Sequence, residues 1–315
     1  MKDSDEFSFL KETFKSLGNQ YFDSSEIIIG PGDDAGLVKN SQDTIYSVDA
    51  SVAGVHFPEN LAAEYVAFRS LSTAASDVVA CGGSLKWVLV SLTMDTTDIH
   101  WMQEFVTGLK DFSDEYSCPI LGGDLSKGKQ CNIAVTVCGK LNRQNFMKRS
   151  GARVGDKIFV TNELGLAKKG LEEINSSPEK LNLSSKNITK FIRPKLHFNF
   201  GQEISHLANS CIDISDGLIS DLGHICEASE VGAQLNADLI PFEGEIEEAL
   251  SWGDDYELCF TAASGMESKV EALGKKHGLK ITQIGEITIN LGVEVYKDGN
   301  LVTFKKTGYN HFDEQ

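Results

Sequence analysis

The feature that most constrains this chain is an alternation sustained over nearly all of its 315 residues. Short runs rich in β-branched residues, closed by Gly or Asp, take turns with amphipathic stretches of helical period. EIIIG, TIYSVD and KWVLVSLTM have the length and composition of strands, whereas residues 62–81 place Phe68, Leu71, Ala75 and Val78 on one helical face. The spacing predicts a further helix over 98–116, a strand at NIAVTVCGKL, and an opening helix over 7–18 from Phe7, Leu10, Phe14 and Leu17. A mixed α/β fold follows.

The polar connection LNRQNFMKRSGARVGD, residues 141–156, divides the chain near halfway. The length suits about two domains, so the reading is an N-terminal domain over 1–142 and a C-terminal domain over 143–315. In the second half KIFVTNELG and CIDISDGLISDLGHICEA each read as a strand entering a helix. ELCFTA, ITQIGEIT and VEVYKDGNLVTF read as strands, with a hairpin at Asp298 and Gly299. Residues 175–190, rich in Ser, Asn and Lys, read as a mobile surface loop with a short helix.

Charge narrows the function. Lys and Arg number 29 against 46 Asp and Glu, a balance of −17, which is the wrong sign for a protein that grips nucleic-acid phosphates with its own cations. An acidic protein still binds polyphosphates when its carboxylates hold divalent metals. No stretch approaches the roughly 18 apolar residues of a membrane span, and MKDSDEFSFLKETF lacks the basic, apolar and cleavage regions of a signal peptide. The expected location is the cytoplasm, with no nucleic-acid or membrane partner. Seven cysteines without a CxxC argue against both a disulfide framework and a zinc site.

Two apparent nucleotide motifs fail on context. GPGDDA, residues 30–35, approaches GxGxxG, but strand-like sequence follows it where a dinucleotide fold needs a helix. GDLSKGK, residues 123–129, has P-loop spacing, yet Gln130 stands where Ser or Thr would bind magnesium. No GxSxG, HExxH or protein-kinase signature is present.

What remains is a series of aspartates at strand ends, loops and helix starts: Asp33 and Asp34 in GDDA, Asp49 in SVD, Asp77 in ASD, Asp124 in GGD, Asp213 and Asp216 in DISDG. Any one of them is ordinary turn or capping chemistry. Seven together supply the short, hard oxygen ligands that Mg²⁺ prefers alongside phosphate oxygens.

The order of GDDA, SVD…GVHF, SD…CGG, GGD, RSGARVGD, DISDGLISDLGH, GDDYEL and GYNHF resembles the thiamine-monophosphate kinase family over nearly the whole chain. GDDA and GGD are shared with the wider aminoimidazole-ribonucleotide synthetase-like superfamily, while GVHF, GDDYEL and GYNHF are more specific. The resemblance implies a two-domain fold, a homodimer built on the N-terminal domain, and a C-terminal domain closing over an ATP cleft. It also implies transfer of the γ-phosphoryl group of ATP to thiamine monophosphate, with several Mg²⁺ ions and no covalent intermediate. Position by position, Asp34, Ser47, Val48 through its backbone, Asp49, Asp77, Asp124, Asp213 and Asp216 match the family's magnesium ligands, with Asp33 their neighbour. Tyr116, Gly123, Asp124, Arg149 and Ser215 match ATP contacts, and His56, Asp254 and Tyr309 match substrate contacts.

The chain departs from the family where GGEDYEL is expected: SWGDDYEL has Asp254 for Glu and Trp252 for Gly. Trp252 could offer its π face to a cationic ring. Two other readings stay open: a same-fold ATP-dependent synthetase with another acceptor, and a non-catalytic metal- and ATP-binding relative.

Overall fold

The computed structural model describes residues 27–29, 33–39, 43–95, 98–141, 145–177, 181–304 and 307–310. The helix expected over 7–18, residues 30–32 of GPGDDA, the boundary at 142/143, and residues 311 and 312 of GYNHF lie outside them.

Among the described residues, the first half forms a six-stranded sheet. Its strands are β1 (Ile27–Ile29), β2 (Gly36–Val38), β3 (Thr44–Val52), β4 (Ser84–Met94), β5 (Ile120–Lys127) and β6 (Asn132–Lys140), in the order β1-β2-β3-β6-β4-β5. All pairs are antiparallel except β4 with β5. The period of two sorts the faces: Val88, Val90 and Leu92 of β4 and Ile133, Val135 and Val137 of β6 are buried. Helices α1 (Ala63–Ala80) and α2 (Ile99–Tyr116) follow β3 and β4. Asp98 caps α2 by accepting from the His100 and Trp101 amides at 2.9 and 3.3 Å. The two helices meet so closely at Gly108 that an added Cβ would lie 2.0 Å from the Glu64 carbonyl oxygen, so glycine is required there.

The second half forms a seven-stranded sheet from β7 (Lys157–Thr161), β8 (Ala208–Asp213), β9 (Gly232–Asn236), β10 (Leu258–Ala262), β11 (Ile281–Thr288), β12 (Gly292–Lys297) and β13 (Asn300–Val302). Their order is β13-β12-β9-β11-β7-β10-β8. Asp298 and Gly299 turn β12 into β13 with φ of 50° and 74°, the left-handed pair that a two-residue hairpin needs. The helices are α3 (Leu166–Ser176), α4 (Lys186–Ile192), α5 (Phe198–Ile204), α6 (Leu218–Ser229), α7 (Ile246–Ser251) and α8 (Glu267–His277).

Alternation along the second sheet divides the core in two. Ile158, Val160, Ile212 and Cys259 pack with α6 on one face. On the other, Phe159 and Phe260, stacked at 5.4 Å, join a core continuous with α1 of the first half. Nearly every face of α1 is therefore buried, including the expected Phe68, Leu71, Ala75 and Val78.

The segment read as a surface loop with a short helix contains that helix, and the helix is anchored on the core. Its helix α4 buries Ile188, Phe191 and Ile192, and Asn187 donates to Glu173 at 2.7 Å. The apolar residues at i, i+3 and i+4 were masked by the surrounding Ser, Asn and Lys. Among the described residues no helix is long and apolar enough to cross a membrane.

Candidate active site

A cleft opens where α1 and β3 of the first half face the strand ends and turns of the second. Val48, Asp49, His56, Asp77, Asp213, Ser215, Asp216, Trp252, Asp254 and Tyr309 line it, together with Arg69, Thr73, Phe191 and Tyr256. Residues far apart in sequence meet here because strands end at the cleft: Asp213 closes β8, and Asp254 precedes β10.

At one end sits an acidic cluster. Asp34, just before β2, is paired with the Arg149 side chain, and the Arg149 amide donates to Asp33 at 2.9 Å. Ser47 donates to the Asp77 carboxylate. Burial pushes the Asp34 carboxyl up to about 7, with Asp213 adding to the rise and Arg149 opposing it. Burial, then the charges of Asp213 and Asp34, push Asp77 well above the ordinary carboxylate range, and burial raises Asp213 as well. Burial and mutual repulsion thus disfavour ionisation of these carboxylates, a cost that a cation bound among them would offset.

The turn between β8 and α6 is locked from beneath. Buried Asp221 accepts from the amides of Ser215, Asp216 and Gly217 at 3.0 to 3.1 Å, which fixes the main chain that carries the Ser215 and Asp216 side chains. A second turn lies against it: the Asp254 amide donates to the Ser215 carbonyl at 2.8 Å. Gly253, at φ 80°, is essential there, since a Cβ would lie 2.1 Å from that same oxygen. The Tyr309 amide donates to the Asp216 carbonyl at 2.9 Å, tying the C-terminal segment to the site.

At the other end, the His56 Nδ1 accepts from the Val52 amide at 3.0 Å, so the neutral ring carries its proton on Nε2. Trp252 stands at the rim with the Lys168 ammonium 3.6 Å from its ring centroid. One π face therefore already holds a cation.

Three expected residues stand apart. Asp124 and Gly123 lie exposed on β5, the far edge of the first sheet, where Ser126 donates to Asp124 at 2.7 Å. Tyr116 packs among Phe68, Phe112 and Phe198, and its hydroxyl accepts from the Leu196 amide at 3.2 Å. Conversely, Arg69, Phe191 and Asp221 were not singled out from the sequence. Asp221 lay inside the motif DISDGLISDLGH, but its role beneath the turn needed the fold.

Two contiguous halves with this topology match the AIR synthase related protein family, its N-terminal domain over residues 32–141 and its C-terminal domain over 153–297. Within that class the chain belongs to the thiamine-monophosphate kinase family. It is 33% identical to the thiamine-monophosphate kinase of Buchnera aphidicola from Acyrthosiphon pisum, covering 98% of this chain and 99% of that one. Identity to the Escherichia coli K12 enzyme is also 33%, covering 98% of each chain. The solved structure of AaThiL complexed with AMPPCP and TMP superposes with a TM-score of 0.83 at 30% identity, over 99% of this chain and 98% of that one.

Proposed function

We propose that this protein transfers the γ-phosphoryl group of ATP to thiamine monophosphate, giving thiamine diphosphate and ADP. The observation that carries the reading is the meeting, in one cleft, of an acidic cluster and a second set of residues suited to an acceptor, in a chain of this family. A solved relative in complex with AMPPCP and TMP supports both halves of that assignment.

The acceptor needs little activation. A phosphate monoester with a second pKa near about 6 is largely ionised at neutral pH, so no general base is required. The difficulty is repulsion between two polyanions. The donor set fits magnesium: Asp34, Ser47, the Val48 carbonyl, Asp49, Asp77, Asp213 and Asp216 offer only oxygen, and the buried carboxylates already disfavour their own ionisation. Bound Mg²⁺ would neutralise phosphate charge and align the donor and acceptor oxygens. The chain itself orients the reactants. Arg149 offers a guanidinium held by Asp34, and Ser215 presents a hydroxyl from the turn that Asp221 locks. His56, Asp254 and Tyr309 are assigned to the acceptor.

We assign the active form to a homodimer whose N-terminal sheets face each other, with residues 1–142 carrying the interface and 143–315 closing the cleft. The face of the sheet opposite α1 exposes Val48 and leaves Tyr46, Trp87 and Leu89 half-buried, an apolar surface that a second copy would cover. Such a copy would also bring Gly123 and Asp124 of one chain towards the cleft of the other. The cytoplasm suits a chain whose seven cysteines are all free.

The test is product formation: purified protein, ATP and Mg²⁺ with thiamine monophosphate, thiamine as control acceptor, and chromatographic separation of the thiamine phosphates. Thiamine diphosphate from the monophosphate alone is expected. Binding of ATP without product would favour an altered acceptor or a non-catalytic relative.

A further inference from the structure

Arg69 sits on α1 with 3% exposure, and its guanidinium serves three partners from three separate segments. Nε donates to the His56 carbonyl at 3.3 Å, Nη1 donates to the Phe191 carbonyl at 2.6 Å, and Nη2 is ion-paired with Asp254. The guanidinium carbon also lies 4.0 Å from the Phe191 ring centroid. Every one of these partners lines the cleft. A planar fork with donors in fixed directions can hold all three, whereas an ammonium on a flexible stem cannot.

The turn that Arg69 reaches is unusual. Asp254 and Tyr256 have φ of 65° and 49°, left-handed values that a non-glycine residue keeps only where its surroundings over-determine them. Main-chain bonds from the Asp254 and Tyr256 amides to the Ser215 and Ile214 carbonyls fix the backbone. They leave the aim of the Asp254 carboxylate to its side-chain partner, which is Arg69.

We propose that Arg69 is a positioning residue for the acceptor: its fork sets the direction of the Asp254 carboxylate and joins Asp254, His56 and Phe191 into one wall of the cleft. This rests on the reading above that places thiamine monophosphate against His56 and Asp254. Arg69 would then act through Asp254 and not merely stitch the two halves together.

The test compares wild type with Arg69→Lys, Asp254→Asn and the double variant in full-length protein with ATP and Mg²⁺. The acceptor KM of Arg69→Lys should rise about tenfold to a hundredfold, the factor carried by one lost charge-assisted hydrogen bond. KM for ATP should stay within about twofold, and the double variant should exceed the worse single variant by less than about twofold, because both changes break one unit. An unchanged acceptor KM in folded Arg69→Lys, a parallel rise in both KM values, or additive effects would overturn the proposal. Should Arg69→Lys fail to fold, Asp254→Asn decides: its acceptor KM must rise selectively, and an unchanged value rejects the role. A wild type inert towards thiamine monophosphate would refute the functional reading itself, whereas an active wild type with unaffected variants would refute only the role of Arg69.

Discussion

Asp49 and Asp124 lie in one sheet but three strands apart and on opposite faces. Asp49 is in register with Val135, Val90 and Gly123, whereas Asp124 is in register with Ser91, Ala134 and Ala50. Three strand spacings amount to about 14 Å, and adjacent residues on a strand point to opposite sides. Within one chain the two carboxylates cannot share an ion. If both serve one site, they come from different copies.

Complementation between inactive variants follows from that geometry. Asp49→Asn and Asp124→Asn should each lose most turnover while remaining folded. Co-expressed, they form mixed dimers in which one site carries both changes and the other none, so about a quarter of wild-type activity should return. Absence of any recovery in verified mixed dimers would place both residues in the same site or leave one of them outside it.

Removing one charge from the acidic cluster should separate stability from function. Asp213→Asn takes a buried like charge away from Asp77 and Asp34. Its metal-free melting temperature should equal or exceed that of wild type, while turnover should fall about a hundredfold or more. The rise in melting temperature on adding Mg²⁺ should shrink in the variant. Differential scanning calorimetry with and without Mg²⁺ checks both statements.

How much of this was legible in the sequence depended on what each residue does. The aspartates were legible because seven of them recur in an ordered series of motifs, although each alone is ordinary turn or capping chemistry. Arg69 was not, since one cation inside FRSLSTAASD gives no sign that three distant carbonyl and carboxylate groups converge on it. Phe191 was hidden in the same way by the polar composition around α4. Tyr116, expected as an ATP contact from the resemblance, lies outside the quoted motifs, and its ring packs among Phe68, Phe112 and Phe198.

Asp255, adjacent to the strained turn, makes a pH prediction. It is fully buried, both its oxygens accept from the Gly165 amide at 3.0 Å, and burial raises its carboxyl to about 7 from an ordinary value of 3.8. Between those values the folded state binds more protons than the unfolded one, so stability falls as pH rises from about 4 to about 7. The contribution lost is at most about 4 kcal/mol. In Asp255→Asn that slope should disappear, so wild type minus variant, followed by urea unfolding across this range, should decline with pH. A difference that stays flat or increases would contradict the assignment.

Trp252 should tune the acceptor rather than the chemistry. Its ring lies at the rim with Lys168 against one face. Trp252→Ala should raise the acceptor KM by about twofold to thirtyfold, the span of a cation–π contact of about 0.5 to 2 kcal/mol. Steady-state kinetics should show kcat and KM for ATP nearly unchanged; a collapse of kcat would make Trp252 part of the reacting geometry.

The central claim is direct transfer between two phosphates, and the fate of the γ-phosphoryl group tests it most directly. Purified protein would be incubated with Mg²⁺, ATP labelled at the γ-phosphorus and thiamine monophosphate, and the label followed in thiamine diphosphate, inorganic phosphate and protein. The account predicts label in thiamine diphosphate in step with ADP formed, and none retained covalently on the chain. Label released mainly as inorganic phosphate, or trapped on the protein, would contradict it.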